Sequence, residues 1–129
     1  MTGVPEVAVD VALVPERACD AGGGWRAVCR LDDLTPDRGV AALVDGALVA
    51  VFLLRGGDVL ALDDLDPFSG ADVLSRGIVG DVEGEPTVAS PVYKQRFSLR
   101  TGRCLDDPTV AVKTWPTRLI EGRIEVAAR

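Results

Sequence analysis

The dipeptide Asp45-Gly46 joins two apolar runs, Val40–Val44 and Ala47–Leu54. That arrangement constrains the chain more than any other. Aspartate followed by glycine tolerates the positive φ that both central residues of a type I′ turn require, so the runs are expected to fold back on each other as a hairpin. Gly56-Gly57-Asp58 then turns the chain into Val59–Leu62, and Glu121-Gly122 separates Arg118–Ile120 from Arg123–Val126. Trp25–Cys29 reads as a further strand, followed by a turn at Asp32–Pro36. Short strands at such spacing predict an all-β fold, an antiparallel sandwich or barrel. The run Val40–Leu54 is too continuous for a strand with one wet face, which predicts burial on both faces. The only helical turn expected is Ala71–Arg76, ended by Gly77; it is too short to stand without packing.

At 129 residues the chain fits one domain with a core of its own. Pro5, Pro15 and Gly22-Gly23-Gly24 interrupt the first stretch, so residues 1–24 read as a variable lead-in and 25–129 as the domain. Val7–Val11 is a candidate edge strand within that lead-in. The net charge of −6 argues against a nucleic-acid or anionic-membrane partner. No apolar run approaches the roughly 18 residues of a spanning helix. Cys19, Cys29 and Cys104 show no metal or redox spacing. They read as reduced thiols of a cytoplasmic protein, with Cys29 in the core.

Two loops carry the functional information. One is Asp66-Pro67-Phe68-Ser69-Gly70-Ala71; the other begins Ser90-Pro91-Val92-Tyr93-Lys94-Gln95 and runs into Phe97, Leu99, Thr101 and Gly102. The pair resembles the Cys-x-His and Cys-Pro-x-His loops of Rieske iron–sulfur domains, with every ligand exchanged. Asp66 and Ser90 take the cysteine places, Phe68 and Tyr93 the histidine places. A Rieske centre needs two cysteines on one iron and two histidines on the other. This chain contains no histidine, so no iron–sulfur cluster, other metal or cofactor is expected in it.

The string Asp66–Asp81 with Ser90–Gln95 is similar to the small subunits of cytoplasmic NAD(P)H-dependent nitrite reductases, a branch of the Rieske-like family. That resemblance spans about residues 25–128. It implies the Rieske fold without a cluster, a non-catalytic accessory role in nitrate assimilation, and a partner large subunit. There FAD, siroheme and a [4Fe–4S] cluster would reduce nitrite to ammonium. A free-standing interaction module without redox role is the alternative.

Three expectations follow for the loops. Phe68 and Tyr93 should fill the volume a cluster would take, as an aromatic plug. Asp66 and Ser90 should cap backbone amides or bond each other. Pro67, Phe68, Ser69 and Gly70, with Tyr93, Lys94 and Gln95, form the candidate partner surface.

Several charged stretches have plainer readings. Asp63, Asp64 and Asp66 are possible oxygen ligands, but a solvated loop rim is the simpler account. Gly77–Gly80 reads as a tight turn, and Asp81, Glu83 and Glu85 as a solubilising tip. Lys94, Arg96, Arg100 and Arg103 are the densest basic stretch. They are either a charged edge that discourages strand addition or a docking patch for an acidic partner, with Lys94 and Arg96 on one strand face. No residue has a neighbouring base that would make it a nucleophile.

Overall fold

The computed structural model describes residues 24–127; the lead-in, Cys19 and the candidate strand at Val7–Val11 lie outside them. Ten strands follow in order: β1 (Trp25–Arg30), β2 (Arg38–Val44), β3 (Ala47–Leu53), β4 (Val59–Asp63), β5 (Ile78–Val82), β6 (Glu85–Ala89), β7 (Arg96–Ser98), β8 (Thr114–Trp115), β9 (Thr117–Ile120) and β10 (Arg123–Ala127). They form three antiparallel sheets, ordered β9-β10-β1, β2-β3-β4-β8 and β5-β6-β7.

The expected hairpins are present. Asp45 (φ 50°) and Gly46 (φ 86°) turn β2 into β3, and Glu121 (φ 52°) and Gly122 (φ 80°) turn β9 into β10. A third pair, Glu83 (φ 52°) and Gly84 (φ 89°), joins β5 to β6. The Gly77–Gly80 segment is therefore the start of a paired strand, with Ile78 opposite Ala89 and Gly80 opposite Thr87. The bend lies instead within the tip expected at Asp81, Glu83 and Glu85, while Gly77 is extended and Gly80 is paired in the ladder, so the tight-turn reading of Gly77–Gly80 does not hold. The helical turn is shorter than its sequence pattern: one 3₁₀ turn covers Leu74–Arg76, and a second covers Leu31–Asp33.

The middle sheet separates two cores, and β3 feeds both. Val49 and Val51 point into the first, with Val28, Val44, Ala61, Trp115, Ile124 and Val126. Ala50 and Phe52 point into the second, with Leu62, Leu74, Val88, Phe97, Leu99 and Cys104. All four β3 residues are fully buried. Alternate side chains of a strand leave on opposite faces, so a continuous apolar run is what a strand between two cores needs. Cys29 is half-buried against the first core. Its thiol pKa is pushed up to about 12, by burial first and by the nearby Asp33 carboxylate second.

Candidate functional site

The loops after β4 and β6 close by one hydrogen-bond pattern. In the first, Asp66 N–H donates to Ala71 O (2.8 Å) and Gly70 N–H to Asp66 O (2.8 Å), with Gly70 at φ 76°. In the second, Ser90 N–H donates to Gln95 O (2.9 Å) and Lys94 N–H to Ser90 O (3.0 Å), with Lys94 at φ 69°. The first side chain of each loop also accepts the amide two residues on: Phe68 N–H to Asp66 Oδ1 (2.9 Å), Val92 N–H to Ser90 Oγ (3.1 Å). Proline follows that first residue in both, where its fixed φ suits a turn and no amide is required.

A third loop has the same ring. Ser98 N–H donates to Arg103 O, Gly102 N–H (φ 79°) to Ser98 O, and Ser98 Oγ accepts from Arg100 N–H. It opens with a serine as the second loop does and has glycine where the first has Gly70, but it lacks the proline, and the backbone bonds are what reveal it as a copy.

Asp66 and Ser90 meet at the centre of the site. Ser90 Oγ donates to Asp66 Oδ2 at 2.6 Å, and both residues are fully buried. Burial opposes ionisation of Asp66. The bonds from Ser90, Phe68 and Ser69 outweigh it and hold the carboxyl below the usual aspartate range. An ionised acceptor so engaged gives a stronger bond than a neutral pair. The expected pairing of these two residues is present, and it ties the loops directly.

The aromatic plug is half right. Phe68 packs on the second core, its ring centroid 6.1 Å from that of Phe97 and tilted 47°. Tyr93 does not join it; it is 59% exposed. Residue 93 precedes Lys94, whose positive φ reverses the chain, and the ring is left on the rim. Leu65 and Val92, unremarked in the sequence, are also exposed. The exposed residues Leu65, Pro67, Val92 and Tyr93 all stand within three chain positions of Asp66 or Ser90. Ser69 and Gln95 serve the loops themselves: Ser69 Oγ accepts from Ala71 N–H, and Gln95 gives its carbonyl to Ser90. Gln95 Oε1 is buried and has no hydrogen-bond partner among the described residues.

The acidic run is not a solvated rim. Asp64 is buried, and its Oδ1 accepts Ser75 N–H (2.7 Å) in the 3₁₀ turn Leu74–Arg76. Asp63 Oδ1 accepts the Trp115 indole N–H (2.8 Å). The basic stretch is also dispersed. Arg96 binds Asp106 through two nitrogens, Arg100 pairs with Asp58 at 2.8 Å, and Lys94 reaches the Pro91 carbonyl at 3.0 Å from a turn rather than a strand.

A Rieske cluster requires two thiolates and two imidazoles. The residues at this site offer a carboxylate, a hydroxyl, a phenyl ring and an outward phenol. The carboxylate and the hydroxyl are committed to each other. The donor set does not fit the cluster. Among the described residues, no cluster of three His, Cys, Asp or Glu side chains is placed to hold another metal.

Comparison with known proteins gives a consistent result. The profile of the Rieske-like [2Fe-2S] domain matches residues 24–127. The nitrite reductase (NADH) small subunit of Salmonella typhimurium is 42% identical over 103 residues, 79% of this chain and 95% of that protein. A Mycobacterium tuberculosis protein assigned as an NADH-dependent nitrite reductase small subunit has a crystal structure that superposes with a TM-score of 0.78. It is 53% identical, and the match covers 80% of this chain and 93% of that one. The nitrite reductase [NAD(P)H] large subunit of Klebsiella oxytoca is 45% identical over 102 residues; the match is 79% of this chain and only 11% of that protein's length.

Proposed function

The chain belongs to the Rieske-like [2Fe-2S] domain family, and from that premise we propose that it is a cluster-free accessory subunit of an NAD(P)H-dependent nitrite reductase. Its partner is a large subunit carrying FAD, siroheme and a [4Fe–4S] cluster. That subunit reduces nitrite to ammonium in cytoplasmic nitrate assimilation, and this chain binds and orients it without passing electrons.

The observation that carries the reading is the buried bond from Ser90 Oγ to Asp66 Oδ2. It occupies the two positions that hold thiolates in a cluster-bearing relative, so electron transfer has no vehicle here. What the loops offer instead is a surface. Leu65, Val92 and Tyr93 are three of the five large apolar residues exposed among those described, and they flank the bond that joins the loops. Exposed apolar side chains gathered in this way mark an interaction site. We assign docking to them together with Pro67, Phe68, Ser69, Gly70, Lys94 and Gln95.

The Klebsiella large subunit supports the choice of partner. A segment of about this chain's size, similar to it, makes up about a tenth of that polypeptide. A domain covalently joined to the large subunit in one protein and separate in another is expected to sit against it in both.

Reconstitution tests the proposal. Purified large subunit, assayed with NAD(P)H and nitrite, should form ammonium faster when this chain is added. Anaerobic incubation of the chain with iron and sulfide should leave no bound iron. Unchanged turnover together with no complex on gel filtration would favour the free-standing interaction module.

A further inference from the structure

The β5-β6-β7 sheet ends on β5, Ile78–Val82, which pairs with β6 on one side only. The two-residue turn Glu83-Gly84 joins them, so Val82 and Glu85 exchange main-chain hydrogen bonds, as do the alternate pairs Gly80 with Thr87 and Ile78 with Ala89. Val79 and Asp81 stand between those pairs, and their N–H and C=O groups point away from β6. Pro86 lies opposite Asp81, a position where no amide toward β5 is needed. Outside the ladder, no main-chain hydrogen bond among the described residues engages Val79 or Asp81.

This edge is open and unguarded. Ile78 is 71% exposed, and Gly80 and Asp81 are exposed with it. Edge strands are commonly protected by lysine, proline or a bulge; β5 has none of the three. Reversed about Gly80, its sequence brings Ile78 opposite Val82 and Val79 opposite Asp81, so no like charges meet. The flanks match in sign as well. Arg76 precedes the strand and Glu83 follows it; both are exposed, and neither makes an ion pair among the described residues.

We propose that β5 pairs antiparallel with β5 of a second copy of this chain, across a two-fold axis at Gly80. Each Val79 then exchanges two main-chain bonds with Asp81 of the other copy, which gives the outward groups of both residues their partners. Ile78 and Val82 form the non-hydrogen-bonded pairs, where side chains approach most closely and apolar contacts stabilise a ladder. Two glycines meet on the axis and let the backbones come close. Arg76 of each copy lies one position from Glu83 of the other. A parallel pairing would instead set Arg76 beside Arg76 and Asp81 beside Asp81, which repel. The contact is isologous and smaller than a standard interface, so the dimer is weak and forms as concentration rises. It uses no residue of the 66–71 and 90–95 loops and is independent of what docks there.

Sedimentation equilibrium over a dilution series of the full chain tests this, with amide exchange followed by NMR on the same samples. The expected result is a monomer–dimer equilibrium in which the Val79 and Asp81 amides exchange more slowly as concentration rises. Ile78→Lys and Asp81→Pro should each raise the dimer dissociation constant about tenfold or more. Proline at position 81 removes only an outward amide, so it decides the matter if Ile78→Lys folds poorly. Arg76→Glu should weaken the dimer, and Arg76→Glu/Glu83→Arg should restore it. A single monomeric species throughout the series, a dimer unchanged in both edge variants, or concentration-dependent shifts confined to the 66–71 and 90–95 loops overturns the proposal. So does protection of Val79 and Asp81 that does not vary with concentration, because the edge would then be covered from within its own chain.

Discussion

Asp66 is bonded to Ser90 and to the Phe68 amide while fully buried, so its removal leaves two donors without partners. Asp66→Ala should cost about 1.5–3 kcal/mol, the range for hydrogen bonds to a charged group. Asp66→Asn, which keeps acceptor oxygens for the amide, should cost about 1 kcal/mol. Urea titration of the three proteins checks the order. Because the folded carboxyl titrates below its ordinary value, this stabilisation is complete above the usual aspartate range and is lost as pH falls through the lowered value. The Val92 and Phe68 amide shifts should therefore stay constant from pH 7 to 5 and move together only in stronger acid. The two aromatic residues should separate cleanly. Phe68→Ala should cost about 2 kcal/mol, below the range for fully buried rings because Phe68 is only half-buried. Tyr93→Ala should change stability by no more than about 0.5 kcal/mol while weakening capture of the large subunit. Sequence disclosed the Asp66–Ser90 pair because short polar side chains at equivalent loop positions have few other uses. It could not disclose Tyr93, because size says that a ring fills space and not in which direction the backbone aims it.

Hairpins were legible where the turn chemistry was strong. Asp45-Gly46 marked the β2–β3 connection and Glu121-Gly122 the β9–β10 one; between β5 and β6 the tip Asp81–Glu85 was legible but the strands on either side of it were not. Glu83 sits at φ 52°, where asparagine is tolerated better, so Glu83→Asn should stabilise the protein by about 0.5 kcal/mol. A rise in urea midpoint with unchanged slope would show it. The acidic run after β4 misled for a related reason: composition suggested solvent, but Asp63 and Asp64 serve an indole and the 3₁₀ turn Leu74–Arg76. Gly102 closes the third loop and cannot be replaced. A Cβ there would lie 2.1 Å from Val112 O, at φ 79°. Gly102→Ala should therefore cost more than about 3 kcal/mol or prevent folding, as judged by soluble yield and thermal melting.

At the scale of the molecule, β3 makes the two cores one cooperative unit. Val51 belongs to the first core and Phe52 to the second, although they are adjacent in the chain. Val51→Ala and Phe52→Ala should each lower a single melting transition, by about 2 and 4 kcal/mol, without splitting it. Calorimetric and van't Hoff enthalpies should remain equal; two resolved transitions in either variant would show that the cores unfold separately. This much followed from the unbroken apolar run Val40–Leu54. The pairing of Arg118 and Arg123 on the buried Glu125 did not, because these residues come from β9 and β10 and only strand register assembles them. The shared ring of the three loops has a further consequence, for how such a protein can be altered. Each ring closes through its own main chain, so its opening residue is a replaceable fitting: aspartate or serine satisfies the same amide. Fitting out the socket or stripping it bare is thus a matter of a few side chains, and the path of the backbone need not be redrawn.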